Sequence, residues 1–370
     1  MTAAGPGTRP EGTPSVPFRA GDDGYASFRI PAAVRTPTGT VLAFCEGRVA
    51  GRADHGTIRV VVKRSTDDGR TWGPLVVAAD NGADLAGNPA PVVLGTGRVL
   101  LVHVRNAGYA TEAAIRRGEI APEDGRRVWV THSDDDGLTW SPPTEITADV
   151  KRPEWLWYAT GPGHALRTRT GRVVVPANHS VPDDGPDNGP DGGHCLLSDD
   201  GGRTWSLGYV DDGDGTAGRD DEVAANESTA AELPDGRLYL NARTMSPSPA
   251  PRADAYSADG GRTLTAPFRP QPHLPGPVCQ GSVLQFGASG PLLFSGPADP
   301  AARARMTLRV STDAGATWRP AHTLDDRPAA YSDLVPLGAR TVGLLYETGA
   351  GGPYETITFR RLAVPTGGPA

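Results

Sequence analysis

The sequence predicts an all-β fold, a six-bladed β-propeller of four-stranded antiparallel blades. Three observations carry this expectation. The first is a repeated octapeptide, Ser-x-Asp-x-Gly-x-Thr-Trp. It is intact at 65–72, 133–140, 198–205 and 311–318, and it recurs at 257–264 with Leu264 in place of the tryptophan. Copies about 60 residues apart mean one supersecondary unit laid down several times, and a chain of 370 residues holds about six. The second is composition. With 48 Gly and 36 Pro, the chain is rich in turns, as many short strands require. The third is a recurrence of short β-branched runs bounded by Gly, Pro, Asp or Asn.

Taken in chain order, residues 1–20 are rich in Gly, Pro and Thr and are expected to be a disordered arm. A single domain is then expected over 21–370. Strand-length runs follow at 40–44, 58–63, 99–104, 172–175, 237–240 and 341–346. Thr-Gly-Arg or Asp-Gly-Arg stands before several of them, which is hairpin chemistry. Residues 110–118 have the length and composition of a short surface helix. Residues 183–193 (DDGPDNGPDGG) read as a long polar loop.

The octapeptide has a local logic of its own. An aspartate can accept hydrogen bonds from its own turn, and glycine takes backbone angles that other residues resist. Ser and Thr tie the hairpin ends, and Trp packs under a neighbouring strand. The repeat is therefore a staple of the fold. Asp67, Asp135, Asp200 and Asp313 are not expected to be catalytic.

Composition excludes several classes of function. The net charge is −7, so no global basic field attracts nucleic acid or an anionic membrane. The three cysteines, Cys45, Cys195 and Cys279, lie far apart. They form neither a disulfide framework nor a zinc spacing and are expected to be buried thiols. The histidines are scattered, with no His-x-x-x-His pair, so no metal and no cofactor is expected. No basic start is followed by an apolar run, and no apolar stretch is long enough to cross a bilayer. The chain is expected to be soluble, either cytoplasmic or secreted with no leader visible in it.

Several ordered motifs carry a more specific resemblance. They are Phe28-Arg29-Ile30-Pro31, Asp54-His55-Gly56, Asn226-Glu227-Ser228 with Asn241-Ala242-Arg243, and Tyr331-Ser332-Asp333-Leu334 with Tyr346-Glu347. Together with the repeat, which is the Asp box, they resemble the bacterial exo-α-sialidases, or neuraminidases, over about residues 25–362. One motif alone would be weak, but the ordered set is strong.

The resemblance implies a site. Sialic acid carries a carboxylate on its anomeric carbon, and arginine forks match that planar anion. The clamp implied is Arg29, Arg243 and one of Arg303 and Arg305. Arg303 is preferred because it precedes the box residue Trp318 by the family's usual offset, and Arg305 stays open. Glu347 is the expected partner of Arg29. An anionic nucleophile would meet the substrate's own charge, so a neutral phenol suits this sugar, and sialidases are known to use tyrosine. The resemblance gives Tyr331 as nucleophile, Glu227 as the base that takes its proton, and Asp54 as general acid and then base. Arg48 matches an arginine near C4 of the sugar, and Asn88 matches a contact near the N-acyl group. The stretch 155–164, with Trp155 and Trp157, resembles a family segment that can wall the site or fill the core. His164 and His179 are expected to be structural.

The implied function is a retaining exo-α-sialidase acting on sialylated glycans, with no nucleic acid or membrane partner. Kdn preference and trans-sialidase activity are variants of that reading. A non-catalytic carbohydrate-binding propeller and a glycosidase for neutral glycans are the competing classes. The first would not need Tyr331, Glu227 and Asp54. The second would not need three clamp arginines.

Overall fold

The computed structural model describes residues 11–181, 191–212, 223–244 and 252–365. Nearly all of its regular structure is β, with short helices at Glu112–Arg116 and Thr147–Val150. The first of these lies inside the expected surface helix. The β-branched runs become the strands Val41–Arg48, Ile58–Ser65, Val99–Asn106, Val173–Ser180, Leu238–Thr244 and Thr341–Thr348.

The strands form a propeller, but not six separate four-stranded blades. Four sheets stand as separate blades of four or five strands, and a fifth sheet has eight. The eight-stranded sheet carries the first two octapeptides. It is continuous because Ile58 pairs in parallel with Leu85 and the Ile58 amide donates to the Asp84 carbonyl at 3.2 Å. This junction corrects the expectation drawn from repeat spacing. Spacing counts units of chain, whereas hydrogen bonds between neighbouring units decide where one sheet ends. A parallel pairing also stands where only antiparallel pairing was expected.

The inner strands pack around a common axis. Ser27–Arg35 lies against Leu85–Val93 on one side and Ala329–Pro336 on the other, and Ser282–Gln285 lies between Ala225–Glu232 and Ala329–Pro336. Apolar clusters fill the spaces between sheets, one running from Ile58 and Leu85 through Trp155 and Tyr158 to Leu196 and Trp205.

The expected arm is a second correction. Glu11–Arg19 is a strand, paired antiparallel with Thr356–Ala363. Phe18 is buried there, and Trp72 of the first octapeptide donates from its ring nitrogen to Ser15 Oγ at 2.9 Å. The turn-rich composition hides this strand because a partner near the far end of the chain supplies its pairing. Residues 1–10 lie outside the described residues. Residues 182–190, most of the expected polar loop, do too, while Asp191 already belongs to the strand Asp191–Ser198.

The octapeptides are staples in atomic detail. In the first, Asp67 accepts from the amides of Arg70 and Thr71 and from the Thr71 hydroxyl, and Ser65 accepts from the Gly69 amide. Gly69 has φ +78°, and a Cβ there would overlap the Phe359 ring, so the position needs glycine for both space and angle. In the copy ending in Leu264, Asp259 accepts from the Thr263 amide, the Thr263 hydroxyl and the Ser257 hydroxyl, and Ser257 accepts from the Gly261 amide. Partial burial raises the pKa of Asp67 and Asp135, but bonds from Thr71 and Thr139 outweigh it and bring both down to about 2. Asp200, held by Thr204, also falls to about 2.

Two outcomes follow for these turns. Asp135→Ala should lower unfolding stability by about 1–2 kcal/mol in a urea titration, the scale of hydrogen bonds lost from a charged acceptor. An unchanged midpoint would refute the staple. In acid, the folded pKa of these aspartates lies below the unfolded value of about 3.9. Their contribution is therefore full above that value and is lost as pH falls towards 2, which melting temperature against pH should display as a decline over that window.

Candidate active site

Local backbone irregularity aims the candidate side chains. Register shifts interrupt strand pairing between Arg29 and Ala32, between Gly87 and Ala90, between Ala225 and Ser228, and between Ala329 and Ser332. Arg29, Asn88, Glu227 and Tyr331 all lie at these bulges. A bulge turns a side chain out of the alternation of its strand, and the left-handed angles at Ile30 (φ 61°) and Asn88 (φ 53°) mark the same departure. Arg48 and Arg243 come from the neighbouring strands Val41–Arg48 and Leu238–Thr244. Asp54 lies in the loop after Arg48, and Arg303 lies outside the strands.

These residues line one cavity of about 330 Å³. Arg29, Arg48, Asp54, Asn88, Glu227, Arg243, Arg303 and Tyr331 all face it. Glu347 is fully buried behind it. One Glu347 oxygen accepts from Arg29 Nε at 2.7 Å and from the Ile30 amide at 2.9 Å, and the other accepts from the Tyr331 amide at 3.1 Å. Tyr331 Oη donates to Glu227 Oε1 at 2.5 Å. Arg243 Nη1 donates to Glu227 Oε2 at 2.9 Å and to Tyr331 Oη at 3.2 Å.

The three guanidiniums surround the phenol. Arg29 and Arg303 lie 5.3 and 5.7 Å from the Tyr331 ring centre, and Arg243 touches its oxygen. Arg303 donates to Tyr354 Oη at 3.0 Å and to the Val278 carbonyl at 3.2 Å, both neutral acceptors. Arg305 does not line the cavity and pairs with Asp326. Burial pushes the Tyr331 phenol well above its ordinary pKa, and Glu227 adds to the rise. Burial opposes the charges of Arg29 and Arg243, but Glu347 and Glu227 outweigh it and hold both above their usual range.

The other flank is also ionic. Arg48 Nη2 contacts Glu46 and Asp54, each at 2.6 Å. The Asp54 side chain is 61% exposed. Burial acts to raise its pKa, but Arg48 and then Arg29 draw it below the usual value. Glu46 also accepts from the Asn88 amide at 2.8 Å, and Arg126 donates to Asn88 Oδ1 at 3.0 Å while lying 4.0 Å from the Trp157 ring centre.

Residues not foreseen from sequence are Glu46, Arg126 and Tyr354, and Asn178, which also lines the cavity. Glu46 stands two residues before Arg48, a spacing that puts both on one face of a strand, so it was within reach. Tyr354, 4.1 Å from Arg29 at its ring centre, comes from an irregular loop with no such pattern. Of the aromatic stretch, Trp157 lines the cavity, while Trp155 stacks on His179 at 3.8 Å in the core. All three cysteines are buried and free. Among the described residues no cluster of His, Cys, Asp or Glu could hold a metal, and no helix is long and apolar enough to cross a membrane.

Fold and cavity define a class, and comparison with known proteins narrows it. Residues 31–344 match the BNR repeat-like domain, so this is a BNR-repeat propeller with an arginine-lined cavity. An exo-alpha-sialidase of Aspergillus fumigatus is 32% identical over 370 residues, spanning 91% of this chain and 84% of the relative. The solved structure of a Hadza microbial sialidase superposes with a TM-score of 0.80 at 28% identity, covering 95% of this chain and 68% of that one. The chain belongs to the sialidase family. A leech intramolecular trans-sialidase, solved with 2,7-anhydro-Neu5Ac, gives a TM-score of 0.78 at 18% identity, covering 95% and 70%, a likeness of fold.

Removing Glu347 should be severe. Glu347→Ala leaves Arg29 buried without its carboxylate, and breaking a buried pair costs about 3–5 kcal/mol. Guanidinium unfolding should register that loss. A change below about 1 kcal/mol would mean that the pair behaves as a surface pair.

Proposed function

We propose that the protein is a retaining exo-α-sialidase that releases terminal sialic acid from glycoconjugates through a tyrosine nucleophile. The observation that carries the reading is the hydrogen bond from Tyr331 Oη to Glu227, with Arg243 donating to both groups. A phenol pushed above its ordinary pKa stays neutral until it reacts, so it can approach an anionic sugar without repulsion. Its proton then has a ready acceptor in Glu227.

Arg29, Arg243 and Arg303 are the clamp for the substrate carboxylate. Glu347 pairs with Arg29 and Glu227 with Arg243, while Arg303 donates to the Tyr354 hydroxyl and the Val278 carbonyl. A guanidinium with no carboxylate against it among the described residues favours one more anion. Bound so, the sugar presents its anomeric carbon to Tyr331. The phenolic oxygen bonds to that carbon as the glycosidic bond breaks, and the leaving oxygen takes a proton from Asp54. Water, giving its proton to Asp54, then displaces the tyrosine, whose oxygen takes back its proton from Glu227, and two inversions give net retention.

Asp54 must hold a proton in the first step, yet Arg48 and Arg29 favour its ionised form. A substrate carboxylate on Arg29 cancels part of that cationic field and so raises the Asp54 pKa when the substrate is present. The exposed position of Asp54 suits exchange of leaving group and water. Glu46 fixes Arg48 and accepts from the Asn88 amide, so Asn88, Arg126 and Trp157 continue the same flank, which is where N-acetylneuraminic acid and Kdn would be told apart.

A fluorogenic α-sialoside is the direct test. The protein should hydrolyse it, and a dehydrated sialic acid analogue should inhibit. Neither turnover nor inhibitor binding would dismiss the enzyme. Tyr331→Phe should lower kcat by about a hundredfold or more with a nearly unchanged melting temperature. Full activity in that variant would exclude the nucleophile.

A further inference from the structure

Two residues beyond Tyr331, on the same inner strand, lies another buried carboxylate that the proposed chemistry does not use. Asp333 is fully buried and accepts four hydrogen bonds from three separate segments. The Ala33 amide and the His164 amide donate to Oδ2 at 2.8 and 2.9 Å. Ser282 Oγ and His164 Nδ1 contact Oδ1, each at 2.7 Å. Ala33 is on the strand that bears Arg29, Ser282 is on another inner strand, and His164 is on the excursion between Tyr158–Thr160 and Leu166–Arg167.

The neighbouring contacts fasten the same short stretch. Gln280 accepts from the Ser332 amide at 2.9 Å and donates to the Pro162 and Ser332 carbonyls. Gly163 has φ +103°, and a Cβ there would come within 3.1 Å of Asp333 Oδ1, so the excursion is pressed onto this carboxylate. Tyr331 sits in a bulge two residues away, where the strand's own pairing is interrupted. Ladder bonds therefore do not fix its position, and the contacts on either side must. Glu347 holds the Tyr331 amide from one side, and the Asp333 cluster holds the other.

We propose that His164 and Asp333 are positioning residues for Tyr331, fixing the bulge so that the phenol stays in register with Glu227 and the arginines. This rests on the reading of Tyr331 as nucleophile. His164 also lines a separate cavity of about 280 Å³ with Leu166, Arg169, Glu232 and Leu284, so its side chain can be changed without entering the sugar cavity.

The test uses the full chain with His164→Ala and His164→Asn. Asparagine presents an amide N–H near the place of Nδ1, whereas alanine removes the donor. Two readouts are taken, kinetics on the fluorogenic sialoside and the ring-carbon NMR resonance of Tyr331, assigned by its loss in Tyr331→Phe. His164→Ala should lower kcat about tenfold or more, since a misplacement near 1 Å costs up to a hundredfold, leave KM within about twofold, and shift the Tyr331 resonance. His164→Asn should restore both. An unmoved resonance in His164→Ala overturns the proposal. So does an asparagine variant no better than alanine in kcat and resonance. If the parent turns over no sialoside, the enzyme reading fails on its own, and the resonance still decides whether His164 positions Tyr331. Should the alanine variant not fold, Ser282→Ala removes the other donor to Oδ1, and an unmoved Tyr331 resonance there overturns the proposal.

Discussion

The arrangement depends on one buried carboxylate. Glu347 grips the guanidinium of Arg29 with one oxygen and the backbone amide of Tyr331 with the other. Without it, three arginines around one phenol would repel one another in a poorly solvated space. With it, a residue near the start of the chain and one near its end are held at a fixed separation. Glu227 does the same for Arg243 and the phenolic oxygen. Arg303 donates to a phenol and a carbonyl, and among the described residues it has no carboxylate partner.

The backbone solves a second problem. Regular strands send alternate side chains to opposite faces, which would bury half of any cluster placed on them. Bulges near the starts of inner strands break that alternation where Arg29, Asn88, Glu227 and Tyr331 occur. A bulge gives up ladder bonds, so the freed backbone needs other partners. The Ile30, Asn88 and Tyr331 amides find them in Glu347 and Glu46. The same carboxylates thus satisfy displaced backbone and neutralise arginines. The octapeptides brace turns elsewhere in the sheets and leave the inner strands free for this irregularity.

Much of this could be read from the residues. The octapeptides gave an all-β repeat architecture because their hydrogen bonds are local and their spacing is regular. They could not give the Ile58–Leu85 junction, which is a contact between units, nor the strand Glu11–Arg19, whose partner lies more than 300 residues away. Arg29, Glu227, Arg243, Tyr331 and Glu347 were legible as short ordered motifs. Tyr354 and Arg126 were not, because each contributes a single side chain from an unpatterned segment. Asp333 was visible within Tyr-Ser-Asp-Leu, but its four donors come from parts of the chain that only the fold assembles.

The claim at the centre is that Tyr331 forms the covalent bond. A 2,3-difluorinated sialic acid, which slows departure of the sugar from the protein, tests it most directly when the trapped protein is digested and mapped by mass spectrometry. The account predicts one glycosyl adduct, on the peptide that contains Tyr331 and absent from Tyr331→Phe. An adduct on Glu227 or Asp54, or none while sialosides are still hydrolysed, would contradict it.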